Sequence, residues 1–331
     1  MRAPAGRAIL WRMWSSLNRP EADQDPRASD ARRRILARLG DYAALLVGPL
    51  NLRPRAATLH AADDSRIEVR VSTASSHVLL VIAPETDLAA EVYWLRALAA
   101  TNLPIPRLIA HDLSCSVAPF TYAIESYASG APLDWLEDGP RMRVVARQIG
   151  RTLRRTHQVA AAGFGRPTTA GRWPARGWGD ALRAWLGGLD FWPRAGELLG
   201  AELADALRAA TIDHPALACE RASVLHGAIE PARALVTVGE SAQIEALTRP
   251  GDMVGGDPLF DLAHALLSRH PAAFRQGVRE GYTAMGALAP EHEGRLRRMG
   301  LLLEACAATR HGEAAALPDF CAAEIRALGQ P

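Results

Sequence analysis

The residue pattern changes character once along this chain, and that change limits the fold more than any other feature. Between Ala57 and Ile82 the spacing is that of strands: Ile67-Glu68-Val69-Arg70-Val71 alternates, and Val78 to Ile82 is continuously apolar, as in neighbouring strands of a half-buried sheet. After Leu133 the chain becomes rich in Ala, Leu and Arg with helical spacing, in long stretches at Met142–Gln158, Trp178–Leu186, Leu198–Ala210 and Ala272–Ala308. A β-rich part ahead of a larger α-rich part implies an α+β protein. With 331 residues, 49% of them hydrophobic, the chain is long enough for two lobes, each with a core.

Three segments are expected. Residues 1–30 read as an N-terminal arm and linker: Met1 to Pro20 is rich in Arg and free of acids, with Trp11, Met13, Trp14 and Leu17 clustered, and Arg19 to Asp30 collects Pro, Asp, Glu and Ser. The first reading is a plain arm; the second is an amphipathic segment that touches a membrane or binds a partner. Residues 31–128 read as the smaller lobe, with a helix over Ala31–Leu46, the sheet, and a second helix capped by Asp87 that carries Leu88, Val92, Leu95 and Leu98 on one face and Glu91 within it. Pro104-Ile105-Pro106 then forces an extended turn before strands at Arg107–His111 and Thr121–Glu125. Residues 129–331 read as the helical lobe, interrupted by a long Gly- and Trp-rich loop from Gly163 to Trp178.

Composition excludes several classes of function. The formal net charge of +2 is too small for a nucleic-acid-binding field. Cys115, Cys219, Cys306 and Cys321 are far apart, with no CxxC pair, and are expected to be core thiols rather than a zinc site or a disulfide framework. The apolar runs are too short or too interrupted to span a bilayer, and no cleavage site follows the first residues, so a cytoplasmic protein is expected. All 38 basic residues are arginine and none is lysine, as in a GC-rich bacterial-like composition.

Two segments carry the strongest motif signal: His226-Gly227-Ala228-Ile229-Glu230-Pro231-Ala232-Arg233, and Gly256-Asp257-Pro258-Leu259-Phe260-Asp261-Leu262-Ala263. They resemble the paired signatures of the aminoglycoside phosphotransferase and choline kinase family, His-Gly-Asp-x-x-Pro-x-Asn and Gly-Asp-Pro-x-x-Asp-Leu-Ala. Further pieces in the same order strengthen the resemblance: Val78-Leu79-Leu80, Glu91, the Pro-x-Pro turn, Ile124-Glu125 before Gly130, and Thr152 to His157 followed by Gly163-Phe164-Gly165. The resemblance implies a protein-kinase-like fold of two lobes, with a ligand cleft between them that would hold an unidentified small molecule or protein. It also implies nucleotide-cleft positions at Leu80, Glu91 and Glu125, and bracing roles for His226, Asp257 and Asp261.

The chemistry implied by the family is missing from its key positions. Ala228 stands where the resemblance implies the catalytic Asp, Arg233 where it implies a metal-binding Asn, and Arg249 where it implies the metal-binding Asp. Phosphoryl transfer depends on positioning and charge neutralisation by metal ions held on oxygen ligands. Ala228 cannot orient a hydroxyl, and a guanidinium about 4 Å from Mg²⁺ costs roughly 4 kcal/mol per unit charge product at an effective dielectric near 20. Glu230, Glu245 and Asp252 are the candidate substitute ligands, while Arg233 and Arg249 are either neutralised by such acids or available as an anion-binding pair. Leu80 stands where relatives carry a basic residue, which leaves Glu91 without an evident partner; Arg70 and Arg96 are nearest in sequence. The turn Ala61 to Arg66 lacks glycine and carries two acids that would repel a polyphosphate. The expectation is a catalytically degenerate member, not an enzyme, that binds a ligand or regulates a partner, with no cofactor assigned to it. The alternative is an active phosphotransferase with an alcohol acceptor, using ATP and Mg²⁺ on relocated ligands.

Overall fold

In a computed structural model, residues 12–19, 28–239, 241–311 and 315–329 are described. The fold is a two-lobed α+β architecture, an N-terminal β-sheet lobe and a C-terminal α-helical lobe of the protein-kinase-like type. Two compact units are present: the described residues up to 99, with 106–128 and 169–171, form the first, and the described residues of 100–105, 129–168 and 172–331 the second.

The N-terminal unit is built on a five-stranded antiparallel sheet in the order β1-β2-β3-β5-β4, with strands Ala56–Ala62, Ile67–Ser72, His77–Ala83, Leu108–Asp112 (β4) and Thr121–Ser126 (β5). Alternation sends each strand's side chains to two different cores. Ile67, Val69, Val71, Leu80, Ile82 and Ile124 pack with α1 (Asp30–Ala37) and α2 (Leu39–Val47), whereas Leu79, Val81, Ala83 and Ala123 pack with Leu88 and Val92 at the start of α3 (Ala89–Ala97). The helix expected over Ala31–Leu46 is two, broken at Arg38. Asp87 accepts the Ala89 N–H at 2.8 Å.

The described part of the arm needs correction. Residues 12–15 are helical, Leu17 is buried, and Met13 and Trp14 pack against the same core as α1 and α2. The Asn18 side chain accepts the Gly40 N–H at 2.7 Å, and the Arg19 N–H donates to the Leu36 carbonyl at 2.9 Å. Apolar burial here outweighs the Arg-rich composition, so these residues belong to the unit. Residues 1–11 and 20–27 lie outside the described residues.

In the C-terminal unit, a hairpin of β8 (Ala234–Val238) and β9 (Ala242–Leu247) pairs with the two-residue β6 (Ala131–Pro132), and β7 (Ser223–Val224) pairs with β10 (Gly255–Gly256). The helices are α4 (Pro140–Thr156), α5 (Trp178–Gly188), α6 (Phe191–Leu199), α7 (Ala201–Ala210), α8 (Pro258–Ala265), α9 (Ala272–Thr283), α10 (Pro290–His311) and α11 (Leu317–Leu328). Two expected helical stretches are interrupted. Gly200, at φ 78, separates α6 from α7, and a break containing Gly286, at φ 142, ends before Pro290, which starts α10. Helices α4 and α9 touch backbone to backbone through Gly150, Gly277 and Gly281. A Cβ on Gly150 would meet the Tyr282 nitrogen at 2.6 Å, and one on Gly277 the Arg143 carbonyl at 2.5 Å.

Cys306 and Cys321 are buried, but Cys115 is exposed in a turn where Asp112 accepts the Ser114, Ser116 and Val117 N–H groups. The expectation of four core thiols therefore fails for Cys115, whose turn satisfies its backbone locally, and Cys219 is only half-buried. No helix among the described residues is long and apolar enough to cross a membrane.

Candidate functional site

The first candidate site residues belong to the sheet face that packs on α3. Glu68 and Arg70 alternate with Ile67, Val69 and Val71, so they face the α3 side, and Glu125 does likewise beside Ile124. Leu80 is buried in the opposite core, and the residues facing α3 from β3 are Leu79 and Val81. The assignment of Leu80 to the Glu91 side is thus one residue out of register, and a strand reverses its faces at every step.

Glu91 has a partner, and it is Arg66. The Arg66 guanidinium donates to both Glu91 oxygens, Nη1 to Oε2 at 2.5 Å and Nη2 to Oε1 at 2.9 Å, and its Nε donates to Glu68. Neither Arg70 nor Arg96 fills this place. Arg70 lies over the Tyr127 ring at 5.6 Å. Burial works against the charged guanidinium, but Glu91, then Glu68 and Glu125, outweigh it and hold Arg66 firmly protonated. Arg66 ends the tight turn between β1 and β2. There Asp63 Oδ1 accepts the Ser65 and Arg66 N–H groups, each at 2.8 Å, and Asp64 accepts the Ser29 N–H at 3.0 Å. The turn's amide donors are directed to its own acid rather than outward.

The motif loop of the C-terminal unit is organised by Asp261. This carboxylate, fully buried on α8, accepts the His226 and Gly227 N–H groups at 2.7 Å each, and His157 Nε2 donates to it at 3.0 Å. The His157 Nδ1 in turn meets the Tyr282 hydroxyl at 3.0 Å. Burial pushes the Asp261 carboxyl up, but these donors prevail and hold it below the usual carboxylate range. Asp257 caps α8 by accepting the Leu259 N–H at 3.0 Å, and its second oxygen receives Arg295 at 3.2 Å. Gly227 has φ 77 and passes so close to Met253 that a Cβ would lie 2.5 Å from its carbonyl oxygen, so glycine is required there.

Burial drives His226 down to about 4, so the ring is neutral and its Nε2–H donates to the Thr248 carbonyl at 3.1 Å. His270, buried near Arg269 and His264, is also driven down to about 4. A free imidazole titrates near 6.5. Below that pH the unfolded chain takes up protons that the folded chain refuses until about pH 4. Stability is therefore complete above pH 6.5 and falls as the pH drops towards 4, by roughly 3 kcal/mol for each ring. Thermal melts at pH 7.5 and pH 5 are expected to show a clearly lower midpoint in acid; equal midpoints would contradict this assignment.

Ala228 and Arg233 lie on this loop, between β7 and β8, whereas Arg249 lies in the connection after β9. Ala228 is buried, and a Cβ on Gly251 would sit 2.9 Å from its methyl group. The Arg233 guanidinium is fixed at both ends, Nε donating to Glu230 Oε1 at 2.6 Å and Nη1 to the Arg249 carbonyl at 2.5 Å. Arg269 approaches the second Glu230 oxygen at 3.6 Å. Burial would raise the Glu230 carboxyl, but Arg233 and its neighbours hold it low. Arg249 is exposed and adopts a left-handed backbone, φ 55. Of the other candidate ligands, Glu245 is exposed on β9 and Asp252 pairs with Arg166 at 3.1 Å. These acids do not form a metal site: no group of three or more His, Cys, Asp or Glu among the described residues is placed to hold a metal ion. The residues around Arg233 do not fit Mg²⁺, because the neighbouring carboxylate is already shared by two guanidiniums.

Sequence reading missed Arg66, Arg269 and the Arg166–Asp252 pair, since each joins residues distant in sequence or hidden among many arginines. The His157–Asp261 contact joins two motif pieces that lie far apart in the sequence.

Comparison with known proteins agrees with this architecture. A thermostable variant of aminoglycoside phosphotransferase APH(4)-Ia, in ternary complex with ADP and hygromycin B, superposes with a TM-score of 0.63 at 18% identity, over 86% of this chain and 98% of the other. Macrolide 2'-phosphotransferase MphH from Brachybacterium faecium gives a TM-score of 0.54 at 19% identity, over 88% of this chain and 99% of the other. Among curated proteins none matches the sequence. The sequence model of the phosphotransferase enzyme family matches residues 57–298, which contain the α3-facing sheet, the Asp261-braced loop and the β8–β9 hairpin. The chain belongs to the phosphotransferase enzyme family.

Proposed function

We propose that this chain is a member of the phosphotransferase enzyme family that has lost phosphoryl transfer and serves as a ligand-binding or regulatory module. The observation that carries this reading is the Arg233 guanidinium, held between Glu230 and the Arg249 carbonyl where the family resemblance implies a metal ligand. A fixed positive charge there opposes a divalent cation, and Ala228 offers no group to orient an acceptor hydroxyl. Arg66 adds support from the N-terminal unit. The Glu91 partner comes from the β1–β2 turn, whose amides already serve Asp63, so neither its cation nor its donors are disposed towards a polyphosphate. The alternative of an active enzyme with relocated ligands would use Glu230, Glu245 or Asp252; two of these are paired with arginine and the third is on an exposed strand position.

The relatives named above bear phosphotransferase names, and one was crystallised with ADP and hygromycin B. ADP production by the full chain with MgATP is expected to stay at background with hygromycin B, kanamycin or no acceptor. Ala228→Asp alone is expected to leave it there, because Arg233 remains. Robust Mg²⁺-dependent transfer to any hydroxyl compound would refute the proposal.

A further inference from the structure

The C-terminal unit contains a cavity of about 300 Å³ that the degenerate motif positions do not account for. Its wall comes from three pieces of chain: the Phe164-Gly165-Arg166 turn with Pro174 and Ala175, the face of α5 that carries Ala184 and Trp185, and Asp252-Met253. These pieces are held in place before any ligand arrives. The Gly165 N–H donates to the Gly255 carbonyl at 2.7 Å, the Val254 N–H donates to the Gly165 carbonyl at 2.9 Å, and Phe164 bridges to Ala175. Trp185 packs edge-on against Phe260 at 5.5 Å, so its ring is braced from behind. The cavity is also adjacent to the motif loop, since the Met253 carbonyl is the atom that Gly227 passes so closely.

Its lining is apolar and aromatic apart from one ion pair, Arg166 Nη1 with Asp252 Oδ1 at 3.1 Å, with both side chains partly exposed. That arrangement selects by charge. A polycationic ligand needs several carboxylates, and this cavity has one, already neutralised. An anionic ligand would have to displace Asp252 from Arg166. An uncharged molecule leaves the pair intact, and a single hydroxyl or carbonyl on it can hydrogen-bond to this half-solvated, weak pair. A cavity of this size lies at the small end of those that bury a compact organic ligand.

We infer that this cavity binds a neutral, compact aromatic or alicyclic molecule of one or two rings bearing one hydroxyl or carbonyl group, and not a polyamine sugar. The inference deepens the binding role proposed above and rests on it only for the expectation that the ligand leaves unmodified. Because the natural ligand is unidentified, 2-naphthol is the probe, titrated calorimetrically into the full chain beside kanamycin. Saturable binding of 2-naphthol with no detectable heat from kanamycin is the expected result. Ala184→Trp, at an exposed position of the wall, and Gly188→Leu, whose added side chain meets no atom within 4 Å at its Cβ, should each weaken 2-naphthol binding at least tenfold by filling the space. Absence of binding, tighter binding of kanamycin, or 2-naphthol binding indifferent to both variants would overturn the inference. A separate assay for transfer from MgATP to 2-naphthol keeps the two proposals apart: binding with transfer sustains the cavity and refutes the loss of catalysis, whereas neither binding nor transfer refutes the cavity alone.

Discussion

Replacing Arg66 with alanine is expected to cost the chain about 3–5 kcal/mol of stability, read as an earlier transition in urea, because it leaves the Glu68 and Glu91 carboxylates buried without their guanidinium. The two acid side chains are 2% and 7% exposed, so water cannot take over the lost contacts. Arg66→Lys keeps the charge but cannot span both Glu91 oxygens while also reaching Glu68, and an intermediate loss is expected. A loss below about 1 kcal/mol for the alanine variant would mean that the carboxylates are neutralised in another way.

Asp261→Ala should be at least as damaging. It deprives the His226 and Gly227 N–H groups and the His157 ring of one shared acceptor in a site closed to water. Each of the three abandoned buried donors costs about 1–3 kcal/mol, which puts the total at roughly 3–9 kcal/mol and the melting midpoint about 4–13 °C lower. Asp261→Asn is expected to recover only part of this, because its amide group would point N–H at N–H. Were the carboxylate there only to hold a metal, thermal stability without metal would not change on substitution; such a result would refute the bracing role.

Much of the architecture was legible in the residues. Strict alternation over Ile67–Val71 and the apolar run of Val78–Ile82 gave β2 and β3 to within a residue or two at their ends, because period-two burial on a two-sided sheet leaves little freedom. Helix breaks were harder. Gly200 and the segment around Gly286 interrupt runs whose Ala, Leu and Arg content favours helix throughout, and a glycine in such a run is a weak signal until its backbone angle is known. The placement of Leu80 failed on a one-residue ambiguity that an entirely apolar strand cannot resolve. At the site, Ala228, Arg233 and Arg249 were identifiable because the motif fixes their spacing. The Arg66 partnership was not, since a turn arginine is 25 residues from Glu91 and resembles any solvated charge. Met13, Trp14 and Leu17 show the same limit: their clustering was visible, but what they cover was not.

The close approach of α4 and α9 at Gly150, Gly277 and Gly281 constrains how this lineage can drift. Adding a single carbon at any of these three places forces one helical axis to move away from the other. Tyr282, beside the last of them, would carry the displacement through His157 to Asp261. The scaffold's geometry is thus held more tightly than its periphery, which leaves cavity linings and surface charges as the cheaper places for change to arise.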